Sequence, residues 1–230
     1  MVFSKARLQV SRPFVAKLRI LLGDDHTLMR QGLRKILEAH DGWQIIAEAG
    51  DGRQAVKDAL ALQPDIAILD IGMPLLNGIE AARQITRRAP TTRVVIVSMH
   101  GDEAYITQAL QAGAKGYLLK DSADTDLIGA VEAVAAGKSF FSPAVADVMR
   151  DDYVRHLAGK GIVDRFESLS EREREVFQLI AEGYSNKEIA DMLSVSATTI
   201  ETHRAHVLQK LDMHSTAELV RYAVRRGVVS

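Results

Sequence analysis

The sequence predicts a doubly wound parallel α/β domain followed by a small all-helical domain. Two observations carry that prediction. Between residues 19 and 140, short apolar runs alternate with stretches of helical spacing; beyond 168 every segment is helical in pattern, and the starts share one signal. Five βα units in succession imply a parallel sheet with helices on both faces, because parallel neighbours need crossover connections.

The elements follow in order. Arg19–Asp25 is a first strand, and Thr27–Ala39 is a helix with Leu28, Leu33, Ile36 and Leu37 at helical spacing. Trp43–Ala49 is a second strand, and the Asp51-Gly52 turn opens a helix to Leu62. The strand Asp65–Asp70 leads through Pro74 and Gly78 to a helix over 79–88, and Arg93–Ser98 precedes a helix from Asp102 to Ala112. A fifth strand, Gly116–Lys120, precedes a helix over 124–136 that Gly137 terminates. Residues 141–165 read as a short helix and a flexible linker. In the last third, Ser170…Glu173, Ser185…Glu188 and Ser215…Glu218 are three Ser-x-x-Glu capping boxes. The expected division is therefore an N-terminal extension over 1–17, an α/β domain over 18–140, a linker over 141–165 and a helical domain over 166–230.

Composition narrows the function classes. In 230 residues with a net charge of -1 there is no polybasic arm or acidic tail, so contact with nucleic acid must come from local charge placement. With Cys at 0, disulfides and thiolate metal sites are excluded and a reducing cytoplasm is expected. No apolar run approaches the ~18 residues of a membrane helix. Lys5, Arg7, Arg12 and Lys17 break up the first segment, which reads as a disordered extension rather than a signal peptide.

Asp25, Asp70, Ser98 and Lys120 each end an apolar run. In an open parallel sheet the site lies beyond the carboxyl ends of the strands, so these four groups converge. Asp24 adds a third carboxylate. Like charges so close raise one another's pKa unless a cation intervenes, and Mg²⁺ suits a site of few hard oxygen ligands. A metal, a lysine and a hydroxyl around one carboxylate suit transfer of a phosphoryl group onto it, with Asp70 as the acceptor. Taken singly, each acid could equally cap a strand end or a helix start. Gly137-Lys138-Ser139 ends like a phosphate-binding loop, but the first glycine of that motif would fall at Glu132. A haloacid-dehalogenase-type phosphatase would need a second Asp where Gly72 stands.

In the helical domain, Ser185–Leu193, Ser194-Val195 and Ser196–Leu211 read as helix, tight turn, helix. Ile189, Ala190 and Leu193 can pack on Ile200, Val207 and Leu211. The second helix leaves Thr198, Thr199, Thr202, His203 and His206 polar, with Arg204 and Lys210 as its cations, which fits a major groove. Acidic and basic residues nearly balance over 165–230, so a helical bundle for protein contact is the other reading of composition alone.

These residues carry a resemblance. Asp24-Asp25-His26, Leu69-Asp70-Ile-Gly-Met-Pro74, Ser98-Met-His100 and Gly116-Tyr-Leu-Leu-Lys120-Asp121 resemble the receiver domain of two-component response regulators. Leu169–Val176, Gly183–Ala190 and Thr199–Arg204 resemble the LuxR-type helix-turn-helix of the NarL/FixJ subfamily. The resemblance implies a flavodoxin-like five-stranded sheet with a helix-turn-helix output domain. It also implies a non-enzyme switch: Asp70 accepts phosphate from a sensor histidine kinase, and the output domain binds promoter DNA. Asp25 would bind Mg²⁺ directly and Asp24 through water, with the Gly72 carbonyl as a further ligand. Lys120 would pair with the phosphoryl oxygens, Ser98 would swing to bond them, and Tyr117 is the aromatic that moves inward. Lys187 would contact phosphate, and the last helix, with Leu219, Val220 and Ala223, would pair two copies into a homodimer. Four positions depart from the family pattern: Gly23 for a bulky aliphatic, Met99 after the switch serine, Asp121 for proline, and Thr198 for lysine. Gly23 is expected to loosen the first strand, and Met99 to restrict access. The reading from another class is a phosphorelay or protein-docking receiver whose effector does not read DNA.

Overall fold

The computed structural model describes residues 17–157 and 165–229, with only the backbone described over 151–157. The expected extension, apart from Lys17, lies outside these residues, as do 158–164 of the expected linker. The first body holds β1 (Leu18–Gly23), α1 (Thr27–Glu38), β2 (Trp43–Ala49), α2 (Gly52–Leu62), β3 (Ile66–Leu69) and α3 (Gly78–Arg88). It continues with β4 (Arg93–Ser98), α4 (Glu103–Gln111), β5 (Gly116–Leu119), α5 (Ala123–Ala135), β6 (Phe140–Phe141) and α6 (Pro143–Leu157). The second holds α7 (Glu171–Ala181), α8 (Asn186–Leu193), α9 (Ala197–Leu211) and α10 (Thr216–Arg225).

The sheet is parallel throughout, in the order β2-β1-β3-β4-β5-β6. Its strands are buried on both faces, which is why they read as unbroken apolar runs. Ile20, Leu22 and Ile68 pack with Leu33, Leu37 and Leu127 of α1 and α5. Leu21, Leu69 and Ile96 face Ala55, Ile85 and Ile106 of α2, α3 and α4. This order places the ends of β1 and β3 side by side, with β4 and β5 next in line.

The sheet has a sixth strand where five were expected. Phe140 and Phe141 pair with Gly116 and Tyr117. Two residues are too few to show an alternating period, and the glycine before them reads as the end of a helix. The helix after it is also longer than expected, running to Leu157, and its Val145 is fully buried with the α4 side of the core.

Two glycines allow the elements to close around Asp70. A Cβ on Gly78 would lie 1.9 Å from the Asp70 carbonyl oxygen, and one on Gly52 would lie 1.8 Å from that of Leu76. Both are backbone-on-backbone approaches that only glycine permits. Gly23 behaves differently from expectation. The space beside it is filled by Leu69 Cδ2 and Met73 Sδ, at 3.0 and 3.2 Å from where its Cβ would stand, so β1 is packed rather than loose.

In the second body Phe166, Phe177, Ile189, Ile200, Val207 and Leu219 form one core. Ser170 and Ser185 make complete capping boxes. The third is half a box: Ser215 Oγ accepts the Glu218 N–H, but the Glu218 carboxylate takes the His214 N–H at 2.7 Å instead of that of Ser215. Ser194 turns the chain between α8 and α9 at φ +53°. α7 lies against the α3 side of the first body, where Gln84 Nε2 donates to Glu175 Oε1 at 2.9 Å and Arg174 meets Glu80 at 3.6 Å.

Candidate functional site

The fold brings the strand-end groups together. Lys120 Nζ, just past β5, lies 2.9 Å from Asp24 Oδ2 and 2.9 Å from Asp70 Oδ2, so one ammonium bridges the ends of β1 and β3. Asp24, Asp70 and Ser98 are buried, whereas Asp25 opens to solvent. Burial pushes the Asp70 carboxyl up, and hydrogen bonding and charge from Lys120 offset only part of this. Burial works against the Lys120 ammonium, but its hydrogen bonds to Asp24 and Asp70 outweigh that and raise its pKa, so it stays charged.

Ligand atoms of Asp24, Asp25, His26 and Asp70 all lie within 4.8 Å of one another. Three carboxylates face one lysine, which leaves surplus negative charge in a partly buried pocket. That donor set fits a small, hard, oxygen-seeking dication. The Gly72 backbone N–H bonds the Asp70 carboxylate, which places the Gly72 peptide beside the cluster. His26 occupies the N-cap position of α1 without a side-chain cap bond. It also touches both neighbouring acids: its N–H donates to Asp24 Oδ1 at 2.8 Å and its Nδ1 lies 2.7 Å from Asp25 Oδ1. Arg30 Nη1 donates to the Asp24 carbonyl, a contact the helical spacing of α1 could have suggested.

Ser98 and Tyr117 meet through His100. Ser98 Oγ accepts the His100 N–H at 3.1 Å, and the Tyr117 hydroxyl donates to the His100 carbonyl at 2.7 Å. Tyr117 is fully buried, and burial pushes its hydroxyl far above the ordinary tyrosine value, so it remains a donor. Met99 is exposed, with its side chain in solvent rather than buried over the acids. Asp121 is exposed in a short 3₁₀ turn over Lys120–Ser122.

The helix-turn-helix residues divide. Lys187, Thr198 and Thr202 are exposed, while Thr199 and His203 are half-buried. Thr199 shares a hydrogen bond with the cap residue Ser196, and Thr202 bonds back to the Thr198 carbonyl at 3.0 Å. Arg204 and Lys210, the expected cations of the reading helix, are both engaged within the domain. Arg204 bonds Asn186 and Thr216, pinning α9 to α8 and α10. Lys210 Nζ lies 2.6 Å from Glu173 Oε2 on α7. On α10, Leu219 and Ala223 are both 0% exposed inside the domain core, so they offer no surface to a second copy. The apolar surface of that helix is carried instead by half-buried Val220 and by Val224, which is 52% exposed.

A cleft of about 690 Å³ opens beside the acidic pocket, with Asp25, Gly72 and His100 on one wall and Glu182, Val220 and Val224 on the other. Its two walls belong to different domains.

Comparison with known proteins gives a family for each of the two domains. Residues 20–132 match the family model of the response regulator receiver domain, and residues 167–223 match that of the bacterial regulatory proteins of the luxR family. The chain is 38% identical over 215 residues to the oxygen regulatory protein NreC of Staphylococcus carnosus, covering 92% of this chain and 99% of that protein. It is 37% identical over 214 residues to the transcriptional regulatory protein MctR of Rhizobium johnstonii, covering 93% and 96%. Among solved structures, a LuxR-family two-component response regulator from Aurantimonas aligns at TM-score 0.58 and 36% identity over 60% of this chain and 99% of that one. The response regulator RcsB in complex with DNA aligns at TM-score 0.56 and 27% identity over 90% and 98%.

Proposed function

The chain belongs to the two-component response regulators with a LuxR-type DNA-binding domain, and from that premise we propose that Asp70 is its phosphoacceptor and that Asp24, Asp25, Asp70 and the Gly72 carbonyl hold Mg²⁺. The observation that carries this reading is Lys120, whose ammonium is shared equally by Asp24 and Asp70 in a partly buried acidic pocket. Mg²⁺, when bound, neutralises charge on the phosphoryl oxygens as they approach the carboxylates.

The residues of the chain do the rest. An Asp70 carboxylate oxygen attacks phosphorus, an O–P bond forms, and the P–N bond to a phosphohistidine of a sensor kinase breaks as its imidazole leaves. Lys120 follows the charge onto the new acyl phosphate. Ser98, set at the end of β4, donates its hydroxyl hydrogen to a phosphoryl oxygen. The phosphorylated state is selected because only it has these contacts. The output is binding of promoter DNA through α9, with Lys187 on phosphate and Thr198, Thr202 and His203 toward the groove, as a homodimer. Family membership supports these partners and a cytoplasmic setting. Among the described residues no helix is long and apolar enough to cross a membrane.

A mobility-shift assay on DNA from upstream of the gene, with and without beryllofluoride, tests the output. A shift that strengthens with beryllofluoride is expected; no shift in either state sinks the DNA-binding role and favours a relay or docking module. Asp70→Asn should abolish labelling by acetyl phosphate, and persistent labelling would show another acceptor.

A further inference from the structure

Five residues of α9, Thr198, Glu201, Thr202, Ala205 and Gln209, are exposed and share one face. At 3.6 residues per turn they fall within an arc of about 100°. The buried Ile200, Val207 and Leu211 lie on the opposite side of the helix. No cation stands within that arc. Arg204 is bonded to Asn186 and Thr216, and Lys210 to Glu173, whose other oxygen lies 3.9 Å from His206 Nδ1.

The face carries an acid instead. Arg204, three residues on, is the helical neighbour that would pair with Glu201, but α8 and α10 hold it. Among the described residues no hydrogen bond or ion pair engages the Glu201 carboxylate.

A free carboxylate on a helix that enters the major groove is repelled by phosphates and by the acceptors on base edges. Guanine presents O6 and N7 there, thymine O4, and adenine N7 beside its amino group. Cytosine presents its N4 amino donor with no acceptor of its own on that edge, so a carboxylate can bond it without opposing charge. The neighbours of Glu201 add apolar contact. The Thr202 hydroxyl hydrogen is already given to the Thr198 carbonyl at 3.0 Å, so this side chain meets a base through its methyl. Ala205 offers only a methyl. In the major groove of ordinary DNA the methyl groups that such side chains touch are those of thymine.

We propose that Glu201 is the specificity-determining residue of α9. Its carboxylate accepts a hydrogen bond from cytosine N4 in the major groove, with Thr202 and Ala205 against the methyls of neighbouring thymines. The inference rests on the DNA-binding reading above and adds which bases are read. Selection works largely by exclusion, because the carboxylate that bonds cytosine also weakens binding to other sequences.

The test uses the full chain with beryllofluoride, selecting duplexes from a randomised pool beside a Glu201→Gln variant. The wild type should enrich a cytosine flanked by thymine, with roughly tenfold discrimination against other bases at that position. Glutamine keeps the side-chain size, loses the charge and pairs with adenine N6 and N7, so the variant should prefer adenine there. It should also bind unselected duplex several-fold more tightly, because a repulsive charge is gone. Loss of a merely structural residue would weaken all duplexes together. A second measurement needs no variant: uracil in place of the flanking thymines removes only their methyls and should weaken wild-type binding several-fold. A wild-type motif without cytosine overturns the assignment of Glu201, as does a base preference that Glu201→Gln leaves unchanged at every position. Indifference to uracil overturns that of Thr202 and Ala205. Enrichment of no duplex by either protein sinks the DNA-binding reading and this inference with it, whereas enrichment with unchanged preference sinks this inference alone.

Discussion

Arg174 of the effector stands 3.6 Å from Glu80 of the receiver, and both side chains are almost wholly out of solvent. Around Glu80 lie Arg83 on its own helix, Arg174 across the interface, and the acidic Glu171 and Glu175 of α7. Burial lifts its carboxyl to about 7, with the two arginines opposing the shift. The folded chain therefore binds a proton there that the unfolded chain, with an ordinary value of 4.5, has already released. Stability must fall as pH rises from about 4.5 to about 7 and then level off. The contribution is on the order of 3 kcal/mol. Urea denaturation across that range should show it, and Glu80→Gln should remove that part of the slope; an identical slope in the variant contradicts the assignment.

Lys120 keeps Asp24 and Asp70 apart electrically. Lys120→Met leaves two buried carboxylates facing each other, a change of the kind that costs about 3–5 kcal/mol. Its thermal midpoint in chelator should drop by several degrees, and millimolar Mg²⁺ should recover more of it than it adds to the wild type, because the cation supplies the missing charge. A variant indifferent to Mg²⁺ would argue against a cation site at these acids.

Gly78 and Gly23 should respond oppositely to alanine. At Gly78 the added carbon meets the Asp70 carbonyl at 1.9 Å, so Gly78→Ala should cost several kcal/mol or abolish folding of the receiver. At Gly23 it meets the ends of Leu69 and Met73 at 3.0 and 3.2 Å, which can yield. Gly23→Ala should stay within about 1 kcal/mol of the wild type by chemical denaturation.

Thr198 is exposed at the start of α9. Thr198→Lys should tighten DNA binding and steepen its salt dependence by about one further released ion. Titrations at several salt concentrations check this; an unchanged slope places residue 198 away from phosphate.

The sequence disclosed the acidic pocket because strand-end chemistry is local: an apolar run followed by an acid or a lysine is visible without knowing what lies beside it. The interface was hidden for the opposite reason. Glu171, Glu175 and Gln178 of α7, with Glu182 at its C-cap, recur along one face, and a polar stripe reads the same whether water or a partner helix meets it. Arg204 and Lys210 look like groove cations until Asn186, Thr216 and Glu173 are seen to hold them. On α10 the apolar stripe was legible, but which of its residues face inward depends on the packing of Phe177 and its neighbours. Gly23 looked like a weakness because Met73, distant in sequence, fills the gap.

The exposure of Thr198, Thr202 and His206 along α9 separates arrival from residence. A reading helix already in solvent lets a chain hop and slide along DNA through weak phosphate attraction, so that a signal acts on the length of the stay rather than on the search.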